Sequence, residues 1–474
     1  MIKTGDRNML DGLRDLKLKN ILYGVLLISL LFSFYAVPQV FASSSLDDWP
    51  MFHHDLTHTG YSTSTPTATS ATLLWNFTTN MVVWASPAVV GGYVYIGSDG
   101  GIAYCLNASD GSKIWNYTIP ARNQSRPGAG GPAIGSSMAV ADGYVYFGCY
   151  DRNVYCLNAS TGEKVWNFTT GNTVQSSPAV FDGRVYVGSW DGNVYCLDAT
   201  TGAKIWNYTA GGLIESSPAV VDGRVYVGST NFNVYCLDAA SGAEIWTYTT
   251  GNIVQSSPAV VNGYVYIGSE DNNVYCLSAS NGSKIWNYTT PGWVDSSPAV
   301  ADGYVYVGSW ESDTNQNDLS SNVYCLDAST GAKIWNYTTQ GGVNSSPAVA
   351  GGYVYVGGWD GNVYCFDAST GAKIWNYATQ SHVNSSPAVD NGIVYVGSWD
   401  HGVYAFGTPS TTTTPSASTS PSPSPSSLPS EQTTSSPTPQ PTLSIPAETI
   451  YPVAAVIAVA VIVAVALMLR RRKH

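Results

Sequence analysis

Charge is scarce in this chain. Asp, Glu, Lys and Arg make up 11% of its 474 residues, slightly less than the 12% that are aromatic. Few charges beside many aromatic rings exclude a disordered chain or a long coiled coil. Basic residues are the scarcer kind, 20 against 32 acidic ones, so the net charge is −12. A negative field repels phosphate, and we therefore expect no nucleic acid partner.

Cysteine is also sparse, and two patterns that carry redox chemistry are missing. No two of the eight cysteines are adjacent, and no Cys-x-x-Cys-His sequence occurs. These absences exclude a disulfide between neighbouring cysteines and a covalently attached c-type haem.

Long apolar runs occur only near the two ends. Five basic residues within 1–20 precede the apolar run Ile21–Val37, and Val40-Phe41-Ala42 then offers small residues at the positions of an export cleavage site. We expect a signal peptide over 1–42, with an uncleaved N-terminal anchor as the alternative.

The second apolar run, Ile450–Leu469, has the length of a membrane span. Its 20 residues of mostly Ala, Val, Ile and Leu would measure about 30 Å as a helix. Three arginines and a lysine follow at once, and basic residues stay on the cytoplasmic side. We expect a single transmembrane helix at 448–469, a cytoplasmic tail at 470–474, and all of 43–447 outside the cytoplasm at the cell membrane.

The sequence between these runs repeats itself. Tryptophans within Ile-Trp-Asn-Tyr-Thr or a variant recur mostly 40 residues apart, at Trp75, Trp115, Trp166, Trp206, Trp246, Trp286, Trp335 and Trp375. Each unit holds four short runs rich in Val and Tyr, separated by turn residues, and this predicts a four-stranded antiparallel meander with strands A to D. Asp191-Gly192 and Asp360-Gly361 predict two-residue turns in which both residues take positive φ.

Strand A of the unit contains a proline, which removes a backbone donor and favours a sheet edge. We therefore expect strand A to line a central channel; its prolines are Pro87, Pro178, Pro218, Pro258, Pro298, Pro347 and Pro387. Residues 71–79 have the sequence of a strand D but precede the first strand A. The last unit, in contrast, ends at Phe406 without a strand D. The sequence thus predicts an all-β chain, a single eight-bladed propeller over 71–407 closed by its N-terminal strand and preceded by a strap at 43–70.

The run Cys196 to Trp206 resembles the Ala-x-Asp-x-x-Thr-Gly-x-x-x-Trp docking motif of quinoprotein-type (PQQ-like) propellers, with Cys in place of Ala. The segment DWPMFHHDLTHTGYS (48–62) is similar to the one that precedes the ring in that family. The resemblance implies that tryptophans dock between neighbouring blades. They are Trp115, Trp166, Trp206, Trp246, Trp286, Trp335 and Trp375.

Seven of the eight cysteines occupy the same position of strand C in successive units, the first being Cys105 and the last Cys365. Equivalent positions in an eightfold ring lie roughly 13 Å apart, too far for a disulfide, so we expect unpaired core thiols. Cys149, the eighth, could lie diagonally opposite Cys156, and that pairing is the alternative.

Residues 408–447 consist largely of Ser, Thr and Pro, which predicts an extended spacer, bare or O-glycosylated. Twelve Asn-x-Ser/Thr sequons lie outside this stalk. Those on strand D are candidates for N-glycans or mere products of repeat copying. They are Asn76, Asn116, Asn167, Asn207, Asn287 and Asn336.

One end of the ring, where the D–A and B–C connections emerge, varies from unit to unit. The variable residue at the mouth of strand A there is Trp84, Gly135, Gln175, Glu215, Gln255, Asp295, Asn344 or Asn384. The B–C turns add Trp190, Trp310, Trp359 and Trp399. A polar ring flanked by indoles predicts a site for a sugar, peptide or cation. The alternative is that these residues only solvate the channel mouth.

Two groups resemble metal ligands. Asp313, Asn315, Asn317 and Asp318 have the composition of a calcium loop but lack its glycine and its bidentate glutamate, which disfavours an EF-hand-type site. His53, His54, Asp55 and His58 offer ligands too, but the segment that holds them is expected to be a pinned strap.

Three functions follow. The first is a non-catalytic binding or scaffold module for an extracellular protein, peptide or glycan, as in envelope assembly propellers and archaeal stalked surface proteins, which need no cofactor. The second is a quinoprotein dehydrogenase with pyrroloquinoline quinone (PQQ) and calcium, disfavoured because no vicinal cysteine pair occurs. The third is a glycosylated structural spacer.

Overall fold

The computed structural model describes residues 48–64, 70–120, 132–311 and 321–407. The predicted signal peptide, stalk, transmembrane segment, basic tail and Asp313–Asp318 loop lie outside these ranges. Within the described ranges, no helix is long and apolar enough to span a membrane.

The described chain forms eight sheets, each with four antiparallel strands, and one of them carries β1 as a fifth, parallel strand. Two strands precede the first blade, β1 (Tyr61–Ser62) and β2 (Leu73–Thr78). Blade 1 is β3 (Ala88–Val90), β4 (Tyr93–Ser98), β5 (Ile102–Asn107) and β6 (Lys113–Thr118). Blade 2 is β7 (Ala139–Ala141), β8 (Tyr144–Gly148), β9 (Asn153–Asn158) and β10 (Lys164–Thr169).

The next three blades repeat this arrangement. Blade 3 is β11 (Ala179–Phe181), β12 (Arg184–Gly188), β13 (Asn193–Asp198) and β14 (Lys204–Thr209). Blade 4 is β15 (Ala219–Val221), β16 (Arg224–Gly228), β17 (Asn233–Asp238) and β18 (Glu244–Thr249). Blade 5 is β19 (Ala259–Val261), β20 (Tyr264–Ser269), β21 (Asn273–Ser278) and β22 (Lys284–Thr289).

The last three blades complete the ring. Blade 6 is β23 (Ala299–Ala301), β24 (Tyr304–Gly308), β25 (Ser321–Asp327) and β26 (Lys333–Thr339). Blade 7 is β27 (Ala348–Ala350), β28 (Tyr353–Gly357), β29 (Asn362–Asp367) and β30 (Lys373–Ala378). Blade 8 is β31 (Ala388–Asp390), β32 (Ile393–Gly397) and β33 (Gly402–Phe406), with β2 as its outer strand.

Blade 8 is closed by the N-terminal strand, as the sequence predicts. β2 pairs antiparallel with β33, with Asn76 opposite Tyr404 and Trp75 opposite Ala405. The eight-bladed all-β propeller is confirmed. Strand A is the innermost strand of each blade, and in every blade but the seventh, where β1 pairs with β27, it is an edge strand. The inner position predicted for strand A is therefore confirmed, although each proline lies directly before the strand and not within it.

The prediction of two-residue turns at Asp191-Gly192 and Asp360-Gly361 was wrong. Of the pair in blade 3, only Gly192 has a positive φ, of 83°. The Gly192 nitrogen donates to the Ser189 carbonyl oxygen over 3.1 Å, so this connection is a three-residue loop that ends in a left-handed glycine. The two-residue turns with two positive φ values are the A–B turns, such as Asp182-Gly183. The additional residue in the B–C loop is a tryptophan, Trp190, at the variable end.

Tryptophans of strand D join neighbouring blades. The Trp166 indole nitrogen donates to the Ala199 carbonyl oxygen of the next blade over 2.9 Å, and its ring covers Gly202. A Cβ at Gly202 would lie 2.7 Å from the indole, so the Thr-Gly turn needs glycine both for this contact and for its φ of 70°. The same bond is made by Trp75, Trp115, Trp206, Trp246, Trp286 and Trp335. Trp375 packs against Tyr355 and Phe406.

All eight cysteines are free and buried. The prediction of unpaired core thiols is therefore confirmed, and Cys149 does not pair with Cys156. Burial raises the pKa of Cys196 to about 11, so this thiol stays protonated and packs as a small apolar side chain.

Serines close the ring at the axis. The Ser177 nitrogen donates to the Ser217 hydroxyl oxygen of the next blade over 3.0 Å. The same bond joins all eight blades, through Ser86, Ser137, Ser177, Ser217, Ser257, Ser297, Ser346 and Ser386. This serine ring satisfies donors that the inner edge strand would otherwise leave unpaired.

The predicted strap is described over residues 48–64, and the name strap refers to these residues from here on. It covers the A–B end of the channel. Its carbonyl groups accept hydrogen bonds from the central valine of strand A in six blades, namely Val89, Val140, Val220, Val260, Val300 and Val349. β1 adds parallel to β27, with Tyr61 opposite Val349. The strap therefore lies across the inner edge strands and fixes which end of the channel is closed.

Buried histidines hold the strap in place. His58 Nδ1 bonds the Pro258 carbonyl oxygen over 3.1 Å, and His53 Nδ1 bonds the His58 carbonyl oxygen over 3.3 Å. Burial, and then the neighbouring His58, lowers the pKa of His53 to about 3, and burial lowers the pKa of His58 to about 4. Both imidazoles are therefore neutral at pH 7. Among the described residues no cluster of His, Cys, Asp or Glu is arranged to hold a metal ion.

Candidate functional site

The channel is a blind cavity of about 370 Å³ on the axis of the ring. Phe52 of the strap lines it at the closed end, and the serine ring forms its wall. The opposite end opens among the D–A and B–C connections, which we call the mouth. The strap thus leaves one entrance to the channel, at the end that varies between the blades.

Most of the predicted site residues line this cavity. Those that do so are Trp84, Gln175, Glu215, Gln255, Asp295, Asn344, Asn384 and Trp359, together with Gly135. On each blade one of them lies two residues before the serine of the serine ring, in the segment that leads into strand A, half-buried at the channel entrance. The Gln175 side-chain oxygen accepts a hydrogen bond from the Tyr150 hydroxyl over 3.1 Å.

The remaining predicted tryptophans lie beside the cavity and not on its wall. Trp399 packs against Trp84 with ring centroids 4.3 Å apart, and Trp310 lies 5.0 Å from Trp359. Trp190 contacts Tyr150 instead, at 6.0 Å. The sequence therefore predicted the correct end of the ring, but only some of the predicted residues line the cavity.

Five tryptophans form a continuous arc over blades 6, 7, 8 and 1. Along the arc, neighbouring ring centroids are 5.3, 5.0, 6.3 and 4.3 Å apart for Trp293, Trp310, Trp359, Trp399 and Trp84. His382 lies between two of them, and its Nδ1 bonds the Trp359 carbonyl oxygen. Trp293 and His382 were missed by the sequence reasoning, although both stand two residues before a predicted mouth residue.

Carboxylates occupy the neighbouring sector of the mouth. Burial, then the charges of Glu270 and Glu215, raises the pKa of Asp295 to about 7. Burial and Glu270 raise the pKa of Glu215, and burial raises the pKa of Glu270. Glu270 occupies the B–C position that holds tryptophan in other blades, a substitution that comparing the repeats could have shown.

A further carboxylate, Asp99, lies at the same B–C position in blade 1. Burial raises the pKa of Asp99 to about 6, and a hydrogen bond with Trp84 partly offsets that rise. Asp99 was not predicted from the sequence, because only the tryptophans of the B–C turns were candidates.

Several polar atoms at the mouth are buried and lack a partner. Among the described residues, Asp295 Oδ1, Asn344 Oδ1 and Asn384 Oδ1 find no hydrogen-bond donor, and the indole nitrogens of Trp190, Trp359 and Trp399 find no acceptor. Since an unsatisfied buried polar atom costs about 1–3 kcal/mol, these atoms mark the place where a bound molecule would contribute most.

The predicted glycosylation asparagines are exposed on strand D. In blade 3 the Asn207 amide and the Thr209 hydroxyl both donate to Asn193 Oδ1, over 3.0 and 2.7 Å. Blade 7 keeps the asparagine bond through Asn376 although Ala378 removes the sequon. The repeated sequon residues therefore have a structural role in tying strand D to strand C.

Comparison with known protein families identifies the repeat. The sequence model of a PQQ-like repeat family, described as outer membrane protein assembly factor BamB, matches residues 66–171, 128–233, 230–317 and 319–433. These matches span well over half of the chain. The chain belongs to the PQQ-like, BamB-type propeller family.

Curated relatives of this PQQ-like propeller include a dehydrogenase and an outer membrane protein assembly factor. A quinohemoprotein alcohol dehydrogenase of Comamonas testosteroni is 28% identical over 130 residues, which are 26% of this chain and 18% of the enzyme. The outer membrane protein assembly factor BamB of Salmonella typhimurium is 32% identical over 104 residues, 22% of this chain and 26% of that protein. The matched part is thus about a quarter or less of either relative's length.

Solved structures share the fold of this PQQ-like propeller. BamB from Moraxella catarrhalis superposes with a TM-score of 0.59 at 20% identity, covering 71% of this chain and 99% of that one. The Comamonas testosteroni alcohol dehydrogenase gives 0.65 at 18% identity, covering 77% and 81%. At these identities the likeness concerns the fold, which supports both binding proteins and enzymes.

Proposed function

We propose that this PQQ-like propeller is a non-catalytic binding module that takes a ligand at the mouth of its blind channel. The observation that carries the proposal is a set of buried polar atoms at the mouth, three oxygens and three indole nitrogens, that find no hydrogen-bond partner in the described part of the chain. A structural spacer has no need for such atoms, whereas a binding site uses them to recognise its ligand.

The quinoprotein alternative is the weaker one because the cavity lining does not fit its cofactor. PQQ is a tricarboxylate, while the lining carries the carboxylates Glu215 and Asp295 and, among its described residues, no Lys or Arg. The bound quinone would meet like charge. The chain also has no adjacent cysteine pair to stack on the quinone as in the enzymes it resembles.

We also propose that the module is held at the outer face of the cell membrane. The apolar segment 450–469 with the basic residues after it supports a membrane anchor. The Ser/Thr/Pro-rich stalk at 408–447 would hold the propeller away from the lipid. Proteinase K added to intact cells should release the propeller; release only after lysis would contradict this orientation.

Binding is tested with the full-length chain in detergent, by calorimetry against separate panels of neutral glycans, peptides and PQQ with calcium. We expect a ligand from the first two panels and no binding of the quinone. Tight quinone binding with alcohol-dependent dye reduction would overturn the proposal. So would a failure of every ligand, provided that circular dichroism shows a folded chain.

A further inference from the structure

We propose that the mouth binds a lysine or arginine side chain presented by a peptide, with the cationic end group against the carboxylates and the aliphatic stem against the tryptophan arc. This inference rests on the proposed binding function and names its ligand class.

The first argument is negative charge that no described residue pairs. Glu215, Glu270 and Asp295 come from blades 4, 5 and 6; the charges of Glu270 and Glu215 act on Asp295, and the charge of Glu270 acts on Glu215. None of them forms an ion pair: in the described part of the chain the ion pair found is His54–Asp55 on the strap, which covers the opposite end. A cation entering the mouth would relieve their mutual repulsion.

The second argument is the kind of hydrogen bond that is missing. Asp295 Oδ1, Asn344 Oδ1 and Asn384 Oδ1 are acceptors on three consecutive blades, 6, 7 and 8, and none of them receives a hydrogen bond from a described residue. Ammonium and guanidinium groups carry three and five N–H donors and no acceptor. The polarity of this sector therefore matches an organic cation.

A metal ion matches the same sector poorly. A divalent cation needs several oxygen ligands within about 2.6 Å, which requires carboxylates that converge. Here they come from separate blades, and no group of three His, Cys, Asp or Glu in the described ranges could hold a metal. An extended side chain can reach across such spacing, whereas a single ion cannot.

The tryptophan arc supplies the remaining contacts. Indole rings attract cations through their faces and cover aliphatic stems, and Trp84 and Trp359 line the cavity. The indole nitrogens of Trp359 and Trp399 are donors that find no acceptor among the residues the structure describes. A peptide offers carbonyl oxygens to these nitrogens, while a free polyamine has none to offer, and this favours a peptide as the source of the cation.

The inference is tested by calorimetry on the full-length chain with the blocked peptide Gly-Gly-Lys-Gly-Gly and its Arg and norleucine versions. We expect the Lys or Arg peptide to bind at least about tenfold more tightly than the norleucine peptide. The double variant D295N/E215Q should weaken this binding about tenfold or more. The matched control is E163Q/D182N, which removes two exposed charges from the A–B and C–D turns at the other end and should bind like wild type.

A second variant distinguishes a loss of the binding site from misfolding of the double variant. Trp359→Leu keeps every carboxylate and should weaken binding of the Lys peptide about fivefold, with an unchanged circular dichroism spectrum. Equal affinity for Lys and norleucine peptides, or spermidine binding as tightly as the Lys peptide, would overturn the inference. A neutral glycan that binds in place of the peptides and is lost in D295N/E215Q would also overturn it, yet leave the binding function standing. If no ligand binds the folded chain, both proposals fail.

Discussion

The backbone nitrogen of Ser386 donates to the hydroxyl oxygen of Ser86 over 2.9 Å, joining residues 300 positions apart in the chain. This bond closes the serine ring at the same junction where β2 completes blade 8 from the outside. The ring is thus joined both at its axis and at its rim, so its closure depends on two separate contacts between the ends of the propeller.

Removing one hydroxyl from the serine ring should have the same cost at the closure as elsewhere. Ser86→Ala and Ser257→Ala each leave one buried N–H without an acceptor, and each should lower the free energy of unfolding by about 1–3 kcal/mol. Urea unfolding followed by tryptophan fluorescence measures both. A much larger loss for Ser86→Ala would show that the closure is the weak point of the ring.

Two glycines with similar backbone angles should respond differently to alanine. Gly202 and Gly183 have φ values of 70° and 68°, but a Cβ at Gly202 would lie 2.7 Å from Trp166 while one at Gly183 meets nothing within 4 Å. We expect Gly183→Ala to cost about 1 kcal/mol and Gly202→Ala clearly more, because the tryptophan must shift. Equal losses in thermal unfolding would refute the docking role of this contact.

The strap should loosen in acid. His53 and His58 have pKa values lowered to about 3 and about 4 in the folded protein. As the pH drops below about 6.5, these histidines therefore take up protons in the unfolded chain before they do so in the folded one, and the stability of the fold decreases. At pH 4 the loss is on the order of 3 kcal/mol for each histidine. The double variant H53N/H58N suits the left-handed φ of both positions, and its melting temperature should fall less between pH 6.5 and 4. Parallel curves would contradict this explanation.

Asp295 should act in the opposite sense. Since its pKa in the folded protein is raised to about 7, the folded state keeps the proton and the site loses stability as pH rises from about 4 to 7. Asp295→Asn should therefore be more stable than wild type at pH 8, by about 2–4 kcal/mol, and the gap should narrow at pH 5. Glu215 and Glu270 face the same space and add in the same direction. A difference independent of pH would rule this out.

The strand D sequons can be tested for glycans apart from their structural role. If Asn207 carries a glycan, Asn207→Gln and Thr209→Ala should both reduce the mass of the protein isolated from its native cells, while Thr209→Ser keeps the sequon and the hydroxyl. Thr209→Ala also removes the hydrogen bond to Asn193 and should cost about 1 kcal/mol. An unchanged mass in all three variants would leave the interstrand bonds as the reason for the repeated asparagine.

The sequence predicted the fold because its determinants are local and repeated. The period of the tryptophans, the proline of strand A and the missing fourth strand after Phe406 define the blades, their inner edge and their closure. The loop type at Asp191-Gly192 was missed because the same dipeptide suits two hairpin lengths, and only the pairing of Ser189 with Asn193 selects the longer one.

The site could be predicted only in part. Comparing the units found the variable end and the residue that each strand A contributes, since these positions follow directly from the repeat. Which of them meet, which atoms lack partners and which end the strap closes depend on contacts between blades far apart in the chain, as in the His58–Pro258 bond. The sequence by itself determined the ring, because every blade encodes its own strands; the tertiary structure decided the site, because a channel mouth exists only where eight blades converge.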